Sequence, residues 1–116
     1  MTKCAINFVP SIVQLRSAIG ASVAVRLEAE HADGTPFDLT PYTVTAPFTP
    51  NASPPPVSAW SVTVDQAAAV LSLTDEDTAL LAPSGRSVVW RWVVWLDSAS
   101  GDRIMFCHGD LGLLPP

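Results

Sequence analysis

Three groups of residues in this chain carry types from which chemistry could be built. Glu30, His31, Asp33 and Asp38 put carboxylates and an imidazole into one short stretch, a donor set suited to a divalent cation. Their spacing matches no EF-hand loop, and the acids alternate across a turn instead of converging, so a solvated turn is expected. Asp75-Glu76-Asp77 could hold calcium. The run follows Thr74, however, and acids in the first turn of a helix already have a structural reason to be there. Cys107-His108 with Asp110 offers a thiol, a base and a carboxylate. Adjacent strand residues point to opposite faces, so Cys107 and His108 cannot readily meet. With no glycine-rich phosphate loop, zinc spacing or paired-acid site, the expectation is a chain with no enzymatic activity, no cofactor and no metal.

The remaining candidates are aromatic, four tryptophans in 116 residues. They lead to the stretch that positions three of them, Ser87 to Leu96, which is rich in β-branched and aromatic side chains and reads as a long central strand. Its even positions, Val88, Trp90, Trp92, Val94 and Leu96, are all apolar and are expected to face the core. Its odd face, with Val89, Arg91, Val93 and Trp95, is too apolar for free water yet carries an arginine. Aromatics and arginine are favoured at the centre of protein contacts, so this face is expected to meet a partner. A carbohydrate platform would need several exposed rings, and only Trp95 with Tyr42 or Trp60 could contribute.

Elsewhere the chain reads as short strands between turn signals. Cys4, Ile6 and Phe8 alternate with polar or small residues until Pro10. Residues 11–19, with Ile12 and Leu15, show neither clean period and are expected to form an arm that packs on the domain or reaches a neighbour. Ala21 to Glu30 alternates cleanly, with Val23, Val25, Leu27 and Ala29 inward. Asp33-Gly34-Thr35-Pro36 turns the chain, and Tyr42, Val44 and Ala46 form a third strand. Pro50 to Pro56 is a stiff spacer. Val57 to Val64 and Ala67 to Leu73 form a hairpin. Thr74 to Ala82 is the one helical segment, capped by Thr74 and ended by Pro83 and Gly85. Arg103 to Gly109 pairs back on the long strand, with Ile104, Phe106 and His108 expected on one face.

Composition agrees with a compact β domain. Hydrophobic residues make up 48% and charged ones 15%, with eleven prolines. The net charge is −5, and Lys3, Arg16, Arg26, Arg86, Arg91 and Arg103 are scattered singly, so the basic cluster that grips nucleic acid is missing. No apolar run reaches the ~20 residues of a membrane span, and Pro10 and Gln14 interrupt any signal-peptide core. The product is therefore expected to stay in the cytosol of the cell that makes it. There Cys4 and Cys107 are expected as thiols, with pairing outside a cell left open. The sum is an all-β, antiparallel immunoglobulin-like β-sandwich of about seven strands with one short helical turn. Its expected division is an N-terminal strand and arm over 1–20 and a sandwich over 21–116.

One succession of motifs goes further. Asp33-Gly34-Thr35-Pro36-Phe37-Asp38-Leu39-Thr40, Leu71-Ser72-Leu73-Thr74 continuing to Thr78 and Leu81, Trp92-Val93-Val94-Trp95-Leu96-Asp97, and Gly109-Asp110-Leu111-Gly112-Leu113-Leu114-Pro115 follow one another in this order. The succession resembles the small immunoglobulin-like domains of tailed-bacteriophage virion proteins, including the LtfC-like type of actinobacterial phages. The resemblance covers roughly residues 20–116 and departs at Ala18 to Ser22, where the family has a glycine-rich lead-in. It implies a non-enzymatic virion component of tail, baseplate or head–tail junction. Partners would be copies of itself or larger tail or capsid proteins, with no nucleic acid, membrane or small-molecule substrate. The alternatives are a capsid decoration protein or a host-surface carbohydrate binder at the tail tip. The residues expected at the contact are Val89, Arg91, Val93, Trp95, Ile12 and Leu15.

Overall fold

The computed structural model describes residues 2–5, 11–49 and 57–116, with the side chains of 12–49 and 57–116. The second half of the expected first strand and the proline-rich spacer lie outside the described residues. In chain order the elements are β1 (Thr2–Ala5), β2 (Ser11–Ala18), β3 (Val23–Glu30), β4 (Thr43–Thr45), β5 (Phe48–Thr49), β6 (Ser61–Asp65) and β7 (Ala68–Leu73). A helix, α1 (Asp75–Leu81), then leads to β8 (Val88–Asp97) and β9 (Arg103–Leu114).

These strands form an all-β sandwich. One sheet runs β1-β3-β7-β6; the other runs β2-β9-β8-β4, with β5 also paired to β8. The order matches the A-B-E-D and G-F-C sheets of constant-type immunoglobulin domains, and α1 carries the chain from one sheet to the other. The inward residues of both sheets close one core around Trp92, Phe106, Leu27, Leu71 and Leu111, each at most 1% exposed. Trp60 stacks on Phe48 at 5.7 Å and meets Trp92 edge-on at 5.8 Å, so aromatic packing joins the two sheets.

The helix forms where the capping signal places it. Thr74 Oγ accepts from the Asp77 amide at 3.1 Å, and the Asp77 carboxylate accepts from the Thr74 amide at 3.0 Å. Thr78 is fully buried, accepts from Gly20 N–H at 3.0 Å and donates to the Ala21 carbonyl at 2.9 Å. Trp90 Nε1 donates to the Leu81 carbonyl at 2.8 Å, which ties the helix end to β8.

Several expectations are corrected. Residues 11–18 are no arm but a strand of the sandwich, paired in parallel with β9 over its whole length. The apolar doublet Ile12-Val13 hid its alternation, because Val13 turns into the core while Ile12 turns out. The body of the sandwich is antiparallel as expected, but two strands join it in parallel, β1 on β3 and β2 on β9. The third strand does not end at Pro47 as expected: the ladder is interrupted there, because Pro47 has no N–H to give it, and resumes on β8 in the same register at Phe48–Thr49. Around Pro47 the Ala46 carbonyl accepts from Trp60 N–H and Phe48 N–H donates to the Ser58 carbonyl, which ties this stretch to the chain that leads into β6.

A β-bulge makes the last correction. Val94 pairs with Cys107 and Trp95 with Met105, which leaves Phe106 as the extra residue on β9. Phe106 and Cys107 are consequently both buried. His108 is turned to the face opposite Phe106, not the shared face the alternation predicts.

Candidate interaction face

The bulge decides what the outer face of the five-stranded sheet carries. Cross-strand register sets its rows: Val89 lies opposite Gly112, Arg91 opposite Asp110, Val93 opposite His108, Trp95 opposite Met105 and Asp97 opposite Arg103. On the β2 side Ile12 flanks His108, Gln14 flanks Asp110 and Arg16 flanks Gly112. On the other side Thr49, Thr45 and Thr43 flank Arg91, Trp95 and Asp97. Apolar side chains, Ile12, Val93, Trp95 and Met105, lie between a polar row at Arg91 and Asp110 and another at Asp97 and Arg103, with Val89 and Gly112 beyond the first. Ile12 is 65% exposed and Val89 59%, the two most exposed of the large hydrophobic side chains among the described residues, and both lie on this face. The centre is a shallow open depression of ≈ 600 Å³ lined by Ile12, Arg91, Val93, Trp95, Met105 and His108, among others.

The charges at the two ends of this face differ. Arg103 Nε donates to Asp97 Oδ1 at 2.7 Å and its Nη2 to Oδ2 at 3.3 Å, while its guanidinium sits 4.9 Å from the centre of the Trp95 ring. The hydrogen bond from Arg103 holds the Asp97 carboxyl below its ordinary range, and the same contact raises Arg103. Arg91 and Asp110 face each other across the strands, yet neither makes an ion pair among the described residues.

Five of the six residues expected at a contact, Ile12, Val89, Arg91, Val93 and Trp95, thus share one face. Leu15 does not; it lies beside Leu111 and packs against the core. Met105, His108 and Asp110 were missed. Their placement follows from the bulge, whose one trace in the sequence is the unbroken apolar run Ile104-Met105-Phe106-Cys107.

The other candidate groups have structural work. Asp33 Oδ1 accepts from the Thr35 amide at 3.0 Å and hydroxyl at 2.7 Å, which pulls the Asp33 carboxyl below its ordinary range. Asp38 and Thr40 repeat this turn at 3.0 and 2.8 Å. Asp77 closes the helix cap. Cys107 is buried while His108 faces outward, so the two do not converge. Trp60 is 3% exposed and Tyr42 packs on Phe37 at 5.6 Å, so neither supplies an open ring beside Trp95.

No protein-family model and no curated protein sequence matches the chain. Among solved structures it is similar to the N-terminal domain of phage TP901-1 ORF48, at 14% identity and a TM-score of 0.47, over 97% of this chain and 92% of that one. It is also similar to the bradyzoite specific antigen BSR4 from Toxoplasma gondii, at 14% identity and a TM-score of 0.42, over 96% of this chain and 47% of that one. A third likeness, to a 2,6-sialyltransferase of Photobacterium sp. JT-ISH-224, has 9% identity and a TM-score of 0.38 and spans 95% of this chain and 19% of the enzyme.

Proposed function

We propose that the chain is a non-enzymatic structural protein of a tailed-bacteriophage virion, a minor tail, baseplate or head–tail component. It acts through subunit contacts made by the outer face of its five-stranded sheet. The observation that carries this reading is the apolar stretch of that face, where Ile12 and Val89 are exposed and Val93, Trp95 and Met105 half-buried, edged by Arg91, Asp110 and threonines. A folded domain that is acidic elsewhere has no reason to leave such a surface in water unless another protein covers it. The virion setting comes from the succession of turn and strand motifs between Asp33 and Pro115.

Trp95 and Val93 supply the buried anchor of the contact and Arg91 fixes its orientation. Trp95→Ala, made in the phage that encodes the chain, is expected to leave the protein folded and to remove it from purified particles, read by co-sedimentation with virions. Incorporation at the wild-type level would overturn the reading. A clean glycan array alongside co-sedimentation with virions would exclude the carbohydrate alternative.

A further inference from the structure

We infer that the partner of this face is a second copy of the chain, docked face to face about a twofold axis that runs along the seam between β8 and β9. The inference rests on the reading of this face as a contact surface and names what covers it. The sheet order is β2-β9-β8-β4, with β5 also on β8, so the seam has one flanking strand position on each side and divides the face evenly. A twofold in the plane of the interface and parallel to the strands keeps each residue at its own height and exchanges the two columns. It lays β8 of one copy over β9 of the other.

Each cross-strand row then meets itself with its members exchanged. Arg91 of one copy lies over Asp110 of the other, and Asp110 over Arg91. Asp97 meets Arg103, Trp95 meets Met105, Val93 meets His108, and Val89 meets Gly112, where there is no side chain to obstruct it. Every charge of the β8 and β9 rows finds the opposite sign and each large side chain a smaller or flexible one. On the flanks, Gln14 of β2 reaches the level of Thr49, a pair able to hydrogen-bond. An axis perpendicular to the strands through the Val93 row instead sets Arg91 over Trp95 and Asp110 over Met105, burying the aspartate unpaired at a heavy cost. Midway between the Val93 and Trp95 rows it sets Arg91 over Asp97 and Asp110 over Arg103, groups that already hold each other, and in that arrangement mixing Arg91→Glu with Asp110→Arg restores nothing. Arg91 and Asp110 are also the pair left without an ion pair within the described residues, whereas Arg103 and Asp97 already hold each other.

Two further observations favour a copy. The face carries three arginines and two aspartates, Arg16, Arg91, Arg103, Asp97 and Asp110, on a chain whose formal charge is −5, so the face itself lacks the acidic excess of the rest of the chain. Four strand positions about 4.8 Å apart and eight residues of about 3.3 Å rise give a footprint of roughly 20 by 26 Å. With side-chain relief this approaches the ~800 Å² that each partner gives a standard interface. Sheets stacked in this way lie about 30° from parallel, the ordinary aligned packing of twisted sheets.

Light scattering of the purified full chain at rising concentration tests this. The expected mass moves from 12.3 kDa toward that of two chains and stops there. Arg91→Glu and Asp110→Arg, each alone, put like charges across the dyad twice and are expected to weaken the dimer by more than about tenfold. Mixed in equal amounts, the two variants restore it. In the mixed pair the new carboxylate at position 91 of one copy faces the new guanidinium at position 110 of the other, and the unaltered Arg91 faces the unaltered Asp110. If either reversal unfolds the chain, Arg91→Gln and Asp110→Asn each still weaken the dimer. A monomeric wild type at every concentration, or a mixture no better than the single variants, overturns the inference. A monomer whose Trp95→Ala variant still drops out of particles sinks the dimer and leaves the virion contact standing. A dimer that obeys the charge exchange, with Trp95→Ala incorporated normally, does the reverse.

Discussion

Asp97 and Arg103 show how a single pair can serve both fold and surface. They close the β8–β9 hairpin with two hydrogen bonds, and Arg103 also covers one side of the Trp95 ring. Both groups are solvent-facing, so the pair contributes modestly to stability, and its pH signature is more informative than its size. The carboxyl of Asp97 is depressed in the folded state by the Arg103 hydrogen bond. The unfolded chain therefore binds a proton more readily, and the stabilisation present above the ordinary aspartate range is lost as pH falls through the lower folded value. Asp97→Asn is expected to flatten this acid limb, measured as chemical-denaturation midpoints between about pH 6 and about pH 2.5. An unchanged acid limb would mean that other carboxylates set it. Turn and cap residues of this kind, Asp33 with Thr35 and Thr74 with Asp77, were legible because each acts within a few residues of itself. The partners of Thr78 were not, because Gly20 and Ala21 lie far away along the chain.

The strands divide along the same line. Alternation located β3, β7 and β8 and their inward faces, since every second residue there is apolar. It misplaced His108 because one extra residue in β9 reverses the facing of everything after it, and no residue type forces a bulge at Phe106. It also misread β2, whose place depends on a distant strand. Gly109 marks that place. A Cβ there would run into the backbone carbonyl of Val13, so β2 can close on β9 at this level only over a glycine. Gly109→Ala is expected to cost about 1–3 kcal/mol or more by overpacking, and to loosen β2 in particular. Gly112→Ala, whose new methyl would meet only the flexible Arg16 side chain at 3.6 Å and the Leu15 carbonyl at 3.8 Å, is expected to be nearly neutral. Urea midpoints read the loss of stability, and hydrogen exchange at the amides of residues 12–18 reads the loosening of β2. Equal stability of the two variants would mean that β2 is not held at Gly109. Because Ile12, Gln14 and Arg16 ride on β2, loosening it also removes one flank of the interaction face.

The molecule as a whole opposes the contact that this less acidic face favours. Two copies each carrying −5 repel at distances where the outer acids dominate, while Arg91 and Asp110 attract only once the faces touch. Salt separates these contributions, because the Debye length falls from about 30 Å at 0.01 M to about 8 Å at 0.15 M. Screening of that reach removes the repulsion between the distant acidic surfaces and leaves pairs enclosed between two sheets much less affected. Dimer formation by the wild type is therefore expected to strengthen, by a few-fold, as salt rises through this range, and then to level off. Sedimentation equilibrium at a fixed protein concentration measures it. The Arg91→Glu variant is more acidic and has lost the attraction at contact, so salt raises its association from a much lower level and leaves it weaker than the wild type throughout. A wild-type association that instead weakens steadily with salt would place its ion pairs in solvent at the rim, and the apolar centre of the face would then not be sealed.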